Sequence, residues 1–267
     1  MTYSYTQVSH YLACPRRYRQ RYLEGWREKE TRAAMLFGRA FEKALAAFFL
    51  RQDPQAVLFE QWAPHQATPL DYAPNDSWER LFHQGVTLLE RLAQDDRLRI
   101  PQPSRNLQVK LIRPLGPGKD FVAYLDAIGT LDGTRCLIEW KTTSSRYPEE
   151  PQGLLALDPQ LTCYSWISGL EYVALVVFVR KRVPEIQYLH TQITAQQREE
   201  YGQLVAETIA RIEAGHFLPH PGIRFPRNGC VSCPHLGLCL GNQELIDSKL
   251  VRLPGASDLD WLDQLDD

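Results

Sequence analysis

Three alternating segments joined by two tight glycine turns decide most of what this chain can fold into. The segments are "NLQVKLIRPL" (106–115), "DFVAYLDAIG" (120–129) and "RCLIEWKT" (135–142), and the turns are "GPGK" and "LDGT". A period of two puts successive side chains on opposite faces of a strand, and connections this short join strands that run antiparallel. The segments therefore predict a three-stranded antiparallel meander. Two of them carry charge where a buried strand would carry aliphatics: Asp126 in the second, Glu139 and Lys141 in the third. Glu139 and Lys141 share one face, while Cys136, Ile138 and Trp140 take the other.

The meander sits inside an α/β chain. Upstream, "MLFGRAFEKALAAFFL" reads as a strongly apolar helix with Glu42 turned inward. "NDSWERLFHQGVTLLERLAQDD" reads as an amphipathic helix capped near Asp76 or Ser77. A short helix capped by Thr6 ends near Cys14, and a second starts at Pro15 and runs to about Glu24. Residues 51–75 carry four prolines and read as an irregular connection. Downstream, Asp158 caps a helix over "DPQLTCYSWISG", and "EYVALVVFVRKR" is apolar enough for a sheet centre. "EIQYLHTQI" alternates, and a Thr194/Gln197 capping box opens a long helix ending at Gly215.

Composition supports one sizeable core: 267 residues, 44% hydrophobic and 23% charged. No run reaches the roughly 18 apolar residues of a membrane helix, and "MTYSYTQVSHYLACP" has no signal-type apolar stretch. A soluble, cytoplasmic protein with no membrane partner is expected. The net charge of −2 does not advertise a polyanion partner, so any nucleic-acid contact rests on local patches and metal ions. Arg16, Arg17, Arg19 and Arg21 alternate with Tyr18 and Tyr22. That pattern suits a single-strand channel, where arginines meet phosphates and aromatics stack on bases. It equally suits a solvated helix face with the tyrosines in the core.

Burying a lone carboxylate costs several kcal/mol, so buried acids are paired or hold metal. If the hairpin brings the strands together, Asp126, Glu139 and Lys141 converge. Two carboxylates around a hard divalent cation, with an amine beside them, suit phosphodiester hydrolysis. The plainer alternative is a Glu–Lys ion pair near a strand end, with Asp126 capping a turn.

The surroundings add specificity. Asp126 followed by Glu139-Trp140-Lys141 across a hairpin resembles the signature of PD-(D/E)XK nucleases. "QLTCY", with Gln160 and Tyr164 four apart, resembles the Q-x-x-x-Y motif of RecB-like members. "CPRRYRQRYLEG" resembles their N-terminal Cys-Pro-x-x-Tyr segment. "CVSCPHLGLC" matches the last three ligands of the iron–sulfur branch, which includes CRISPR-associated RecB-like exonucleases, the AddB nuclease domain and exonuclease V. The resemblance runs from about residue 4 to 240.

It implies a restriction-endonuclease-like core: a mixed sheet with an antiparallel meander, flanked by helices, with a helical insertion at about 50–105. It implies a single nuclease domain over 1–245, a Cys-rich segment at 220–242 and an acidic tail at 246–267. Asp126, Glu139 and Lys141 would be catalytic, and Mg²⁺ or Mn²⁺ would sit on Asp126, Glu139 and the Trp140 carbonyl. Glu42 stands where the family commonly has a histidine ligand, four residues after Gly38. Gln160 and Tyr164 would contact DNA or support the site. Cys14, Cys230, Cys233 and Cys239 would hold a [4Fe–4S] cluster; four thiolates also suit Zn²⁺, with His235 an alternative ligand. The implied activity is metal-dependent DNA cleavage, as an exonuclease on single-stranded or frayed ends, in repair, recombination or CRISPR adaptation. The alternative is a non-cutting DNA-binding subunit of a larger nuclease–helicase or adaptation complex. The acidic tail "SDLDWLDQLDD" reads as a partner-binding peptide, an occluding segment or a frayed end.

Overall fold

A computed structural model describes residues 1–29, 32–150, 153–220, 223–224 and 227–253. The chain divides into two compact units. One comprises Met1–Thr2 and Thr31–Gly202, the other Tyr3–Glu30 and Gln203–Asp267.

The first unit is built on a mixed sheet. Its five longer strands lie in the order Leu107–Gly116, Lys119–Leu131, Thr134–Thr143, Tyr172–Val179 and Glu185–Gln192, and the short strand Leu98–Arg99 also pairs with Lys119–Leu131. Thr134–Thr143 and Tyr172–Val179 run parallel; the other neighbours in this order are antiparallel. The expected meander is therefore present, and the apolar run at 172–179 lies between two strands as a central strand should. Seven of its eight residues are buried because both faces of the sheet are covered.

Helices Ala33–Phe49, Pro54–Trp62 and Trp78–Ala93 supply one covering layer. Phe41 meets Phe178 edge-on at 5.1 Å, and Phe49 stacks on Trp140 at 6.0 Å. These belong to one cluster that also takes in Phe37, Leu45, Leu88, Ile138 and Val176. Each large side chain so buried contributes roughly 1.5–3 kcal/mol relative to exposure. Elsewhere in this unit Trp166, on helix Pro159–Ser168, packs edge-on to Phe121 at 5.2 Å.

Two local expectations change. Residues 51–75 are not wholly irregular: Asp53 accepts from the amides of Gln55 and Ala56, and Pro54 opens helix Pro54–Trp62. Proline at the first helical position gives up only an amide that the helix leaves unused anyway. The first helix, Tyr5–Ala13, is capped by Ser4 rather than Thr6, which lies inside it. The Asp158 cap and the reciprocal Thr194–Gln197 capping box are as expected.

The second unit joins the two ends of the chain. Trp26–Glu28 pairs antiparallel with Leu250–Arg252, and the Lys29 amide donates to the Lys249 carbonyl at 2.9 Å. The Tyr11 hydroxyl donates to the His216 carbonyl at 2.6 Å. The tail "SDLDWLDQLDD" lies outside the described residues. Among the described residues, no helix is long and apolar enough to cross a membrane.

Candidate active site

The site arises where the meander stops pairing. The ladder between Lys119–Leu131 and Thr134–Thr143 runs from Leu131↔Thr134 to Ala127↔Ile138 and ends there. At the next position the Asp126 side chain takes over, accepting from the Trp140 amide at 2.8 Å. A carboxylate has replaced a backbone carbonyl as acceptor, so the strands splay while the buried amide stays satisfied. The splay opens a cleft of about 310 Å³, whose lining includes Asp126, Glu139, Lys141, Gly38, Arg39 and Glu42.

Within it the sequence candidates meet as follows. Glu139 is 3% exposed, and its Oε1 accepts from the Lys141 amine and from Gln160 Nε2 at 2.9 Å. Gln160 Oε1 in turn accepts from Lys141 Nζ at 3.1 Å, and Gln160 Nε2 also donates to the Tyr164 hydroxyl at 2.7 Å. Gln160 thus bridges both members of the ion pair. Glu139 Oε2 is buried without a hydrogen-bond partner among the described residues. Glu42 is half-buried, and its Oε1 accepts from Gln108 Nε2 at 2.8 Å.

Electrostatics follow from crowding acids in a desolvated cleft. Burial pushes Asp126 well above the usual carboxylate range, and the charges of Glu139 and Glu42 push it further; the Trp140 amide opposes. Burial also raises Glu42, against the hydrogen bond from Gln108. Burial pulls the Lys141 amine down, but Glu139 beside it more than compensates and the net shift is upward. Lys141 is therefore a cation here, not a free base. Such mutual repulsion marks a place that favours a bound cation.

Among the described residues, no three His, Cys, Asp or Glu side chains stand close enough to grip a metal ion as they are. The donors still fit a hard divalent ion: all are oxygens, one carboxylate oxygen is orphaned, and Asp126 senses the charges of Glu139 and Glu42.

The remaining candidates fall in the second unit. Arg17 pairs with Glu28 at 2.5 Å and Arg19 with Glu24 at 2.8 Å, while Tyr18 is buried against Tyr11, Tyr22 and Phe217. Arg16 is half-buried, and Arg21 lies 5.6 Å from the ring centre of Tyr22. No disulfide joins any of the six cysteines. Burial raises the Cys233 thiol, and Cys14 and Cys239 each add to that rise, so each lies within electrostatic reach of Cys233. The Cys233 amide donates to the Cys230 carbonyl at 3.0 Å. His235 is fully buried and held down to about 4, by burial and then by the nearby Arg17, Arg21 and Arg27.

Nothing in the sequence marks Gln108. It looks like one more polar residue of an alternating strand, and nothing in residue type announces its reach to Glu42. The bridging position of Gln160, by contrast, is marked by its place in the Q-x-x-x-Y motif.

The sequence pattern of the PD-(D/E)XK nuclease superfamily matches residues 2–240. The chain belongs to that superfamily. No curated protein matches it. Among solved structures, a protein from Eubacterium rectale provisionally named an exonuclease superposes with a TM-score of 0.54 at 13% identity, over 95% of this chain and 90% of that one. LHK-Exo, solved in complex with dAMP, gives 0.33 at 14% identity, over 68% of this chain and 93% of that one. The first of these likenesses supports the fold that the superfamily match assigns.

Proposed function

We propose that this nuclease-superfamily chain hydrolyses DNA phosphodiesters with Mg²⁺ or Mn²⁺, acting as an exonuclease on single-stranded or frayed ends. One observation carries the reading: Asp126, Glu139, Lys141 and Glu42 line a single cleft, Gln160 bonds both members of the Glu139–Lys141 pair, and a buried Glu139 oxygen is left unpartnered. Asp126, Glu139, Glu42 and the Trp140 carbonyl would hold the cation. When bound, it would supply Lewis acidity at the phosphate.

The chain's own groups do the rest. Lys141, kept cationic by Glu139, orients the attacking water and steadies charge as the new P–O bond forms and the bond to the leaving sugar oxygen breaks. Gln160 fixes the amine relative to the carboxylate, and Tyr164 fixes Gln160. Of the N-terminal arginines, Arg17 and Arg19 are held in ion pairs with Glu28 and Glu24, so a phosphate would have to compete for them.

A [4Fe–4S] cluster on Cys14, Cys230, Cys233 and Cys239 belongs to the same proposal. It is supported by the ligand spacing and by the electrostatic proximity of Cys14 and Cys239 to Cys233. Iron and acid-labile sulfide in an anaerobic preparation, lost in Cys14→Ser, would support it. Stoichiometric zinc in a colourless protein would replace it.

The activity itself is tested with an end-labelled single-stranded oligonucleotide and Mn²⁺. Lys141→Ala should cut about 10²–10³-fold more slowly than wild type, the range for losing one preorganised charge-stabilising donor. Equal rates, or no cleavage by either protein across single-stranded and duplex substrates, would favour a DNA-binding subunit that does not cut.

A further inference from the structure

Gln108 lies inside the Leu107–Gly116 strand yet has a φ of +49°. Among the described residues, the other non-glycines with positive φ (Arg51, Asn75, Gln102 and Asp132) sit in turns, bends or helix ends. Left-handed backbone is rare for a residue with a long side chain, and glycine or asparagine takes it with least strain. Backbone of this kind clusters where a site requires it.

Its place in the sheet says what it is for. Leu107 pairs with Ala127 and Val109 with Leu125, so Gln108 falls opposite Asp126. Asp126 is where the strand's other neighbour also stops pairing. The ladder is thus disturbed on both sides of one carboxylate. The left-handed turn sends the Gln108 amide to Glu42, whose Oε1 it meets at 2.8 Å. Glu42 lines the cleft that holds Asp126 and Glu139.

We infer that Gln108 is a positioning residue: it clamps one oxygen of Glu42 and leaves the other to face the cation that Asp126 and Glu139 share. The inference rests on the metal-site reading above. An amide suits the task because it donates without adding charge, whereas a lysine or arginine would compete with the cation. Glycine would suit the backbone but could not hold Glu42.

Stability and metal affinity should therefore separate. Five proteins decide it: wild type, Gln108→Gly, Gln108→Asn, Glu42→Gln and the Gln108→Gly/Glu42→Gln double variant. The readouts are the melting temperature in chelator and the Mn²⁺ dissociation constant by calorimetry. Gln108→Gly should hold or raise the metal-free melting temperature while weakening Mn²⁺ binding about 10-fold or more, the scale for losing an outer partner of a ligand. Gln108→Asn, which tolerates the same backbone but is one methylene too short, should behave alike. In the Glu42→Gln background, Gln108→Gly should have no further effect on affinity. Unchanged Mn²⁺ affinity in Gln108→Gly, or losses that multiply in full in the double variant, would overturn the inference and leave the metal site standing. Wild-type affinity in Glu42→Gln would remove Glu42 from the ligands and this role with it, and no Mn²⁺ binding by the wild type would remove the metal-site reading itself.

Discussion

Lys141 is half exposed at its side chain, yet its amine is committed to two acceptors, Glu139 and Gln160. The acid beside it is almost fully buried, so the pair is poorly screened on one side and open to substrate on the other. Gln160 makes that geometry stiff by bonding both partners and the Tyr164 hydroxyl. Gln160→Ala should lower the single-turnover cleavage rate about 10- to 100-fold while leaving the fold intact, as outer-shell losses typically do. A rate within twofold of wild type would reduce Gln160 to a helix-end amide. Arg180 shows a basic residue at this scale that serves the fold instead. Arg180 is 6% exposed and lies against Asp76 at 3.6 Å and over Phe37, so its charge serves packing, not phosphate.

At the scale of elements, the site depends on a sheet that pairs closely up to Ala127 and Ile138 and then parts. Gly129 guards the paired end: a Cβ there would stand 2.4 Å from the Arg99 carbonyl and 2.8 Å from Ile138. Backbone cannot yield as a side-chain tip can. Gly129→Ala should thus cost about 1–3 kcal/mol as overpacking does, a fall in melting temperature of several degrees that calorimetry would register. The meander itself was legible because alternation and glycine turns are local signals. Its splay was not, because Asp126 replaces a backbone acceptor only once Trp140 lies across from it. Gln108 stayed hidden for a related reason, since its left-handed φ is set by the strand irregularity and not by its own preference. Helix Pro54–Trp62 was obscured by proline count, although Asp53 before Pro54 is a sound start signal. Glu42 was legible only through its distance from Gly38. That glycine lets the helix approach the sheet, and a Cβ there would meet Thr142 Oγ1 at 3.3 Å.

At the scale of the whole molecule, a net charge of −2 gives no general attraction to DNA, so the metal and a few basic residues must supply it. The cleft is acidic before a cation arrives, and a cation that binds only the folded chain stabilises it by mass action. Mn²⁺ at one hundred times its dissociation constant should raise the melting temperature by about 5–10 °C. Asp126→Asn should lose most of that gain. An equal gain in the variant would place the stabilising ion elsewhere, with the cysteine-bearing unit the first region to search. The two ends of the chain form one unit through the Trp26–Glu28 and Leu250–Arg252 pairing, which stands whether or not the cysteines hold a cluster.

Cleavage as proposed depends on where a divalent ion binds, and anomalous scattering from a Mn²⁺-soaked crystal reads that position directly. A peak bonded to carboxylate oxygens of both Asp126 and Glu139, with the Lys141 amine beside it, is the predicted result. A protein that cuts DNA in Mn²⁺ but shows its peak away from those two carboxylates would contradict the account.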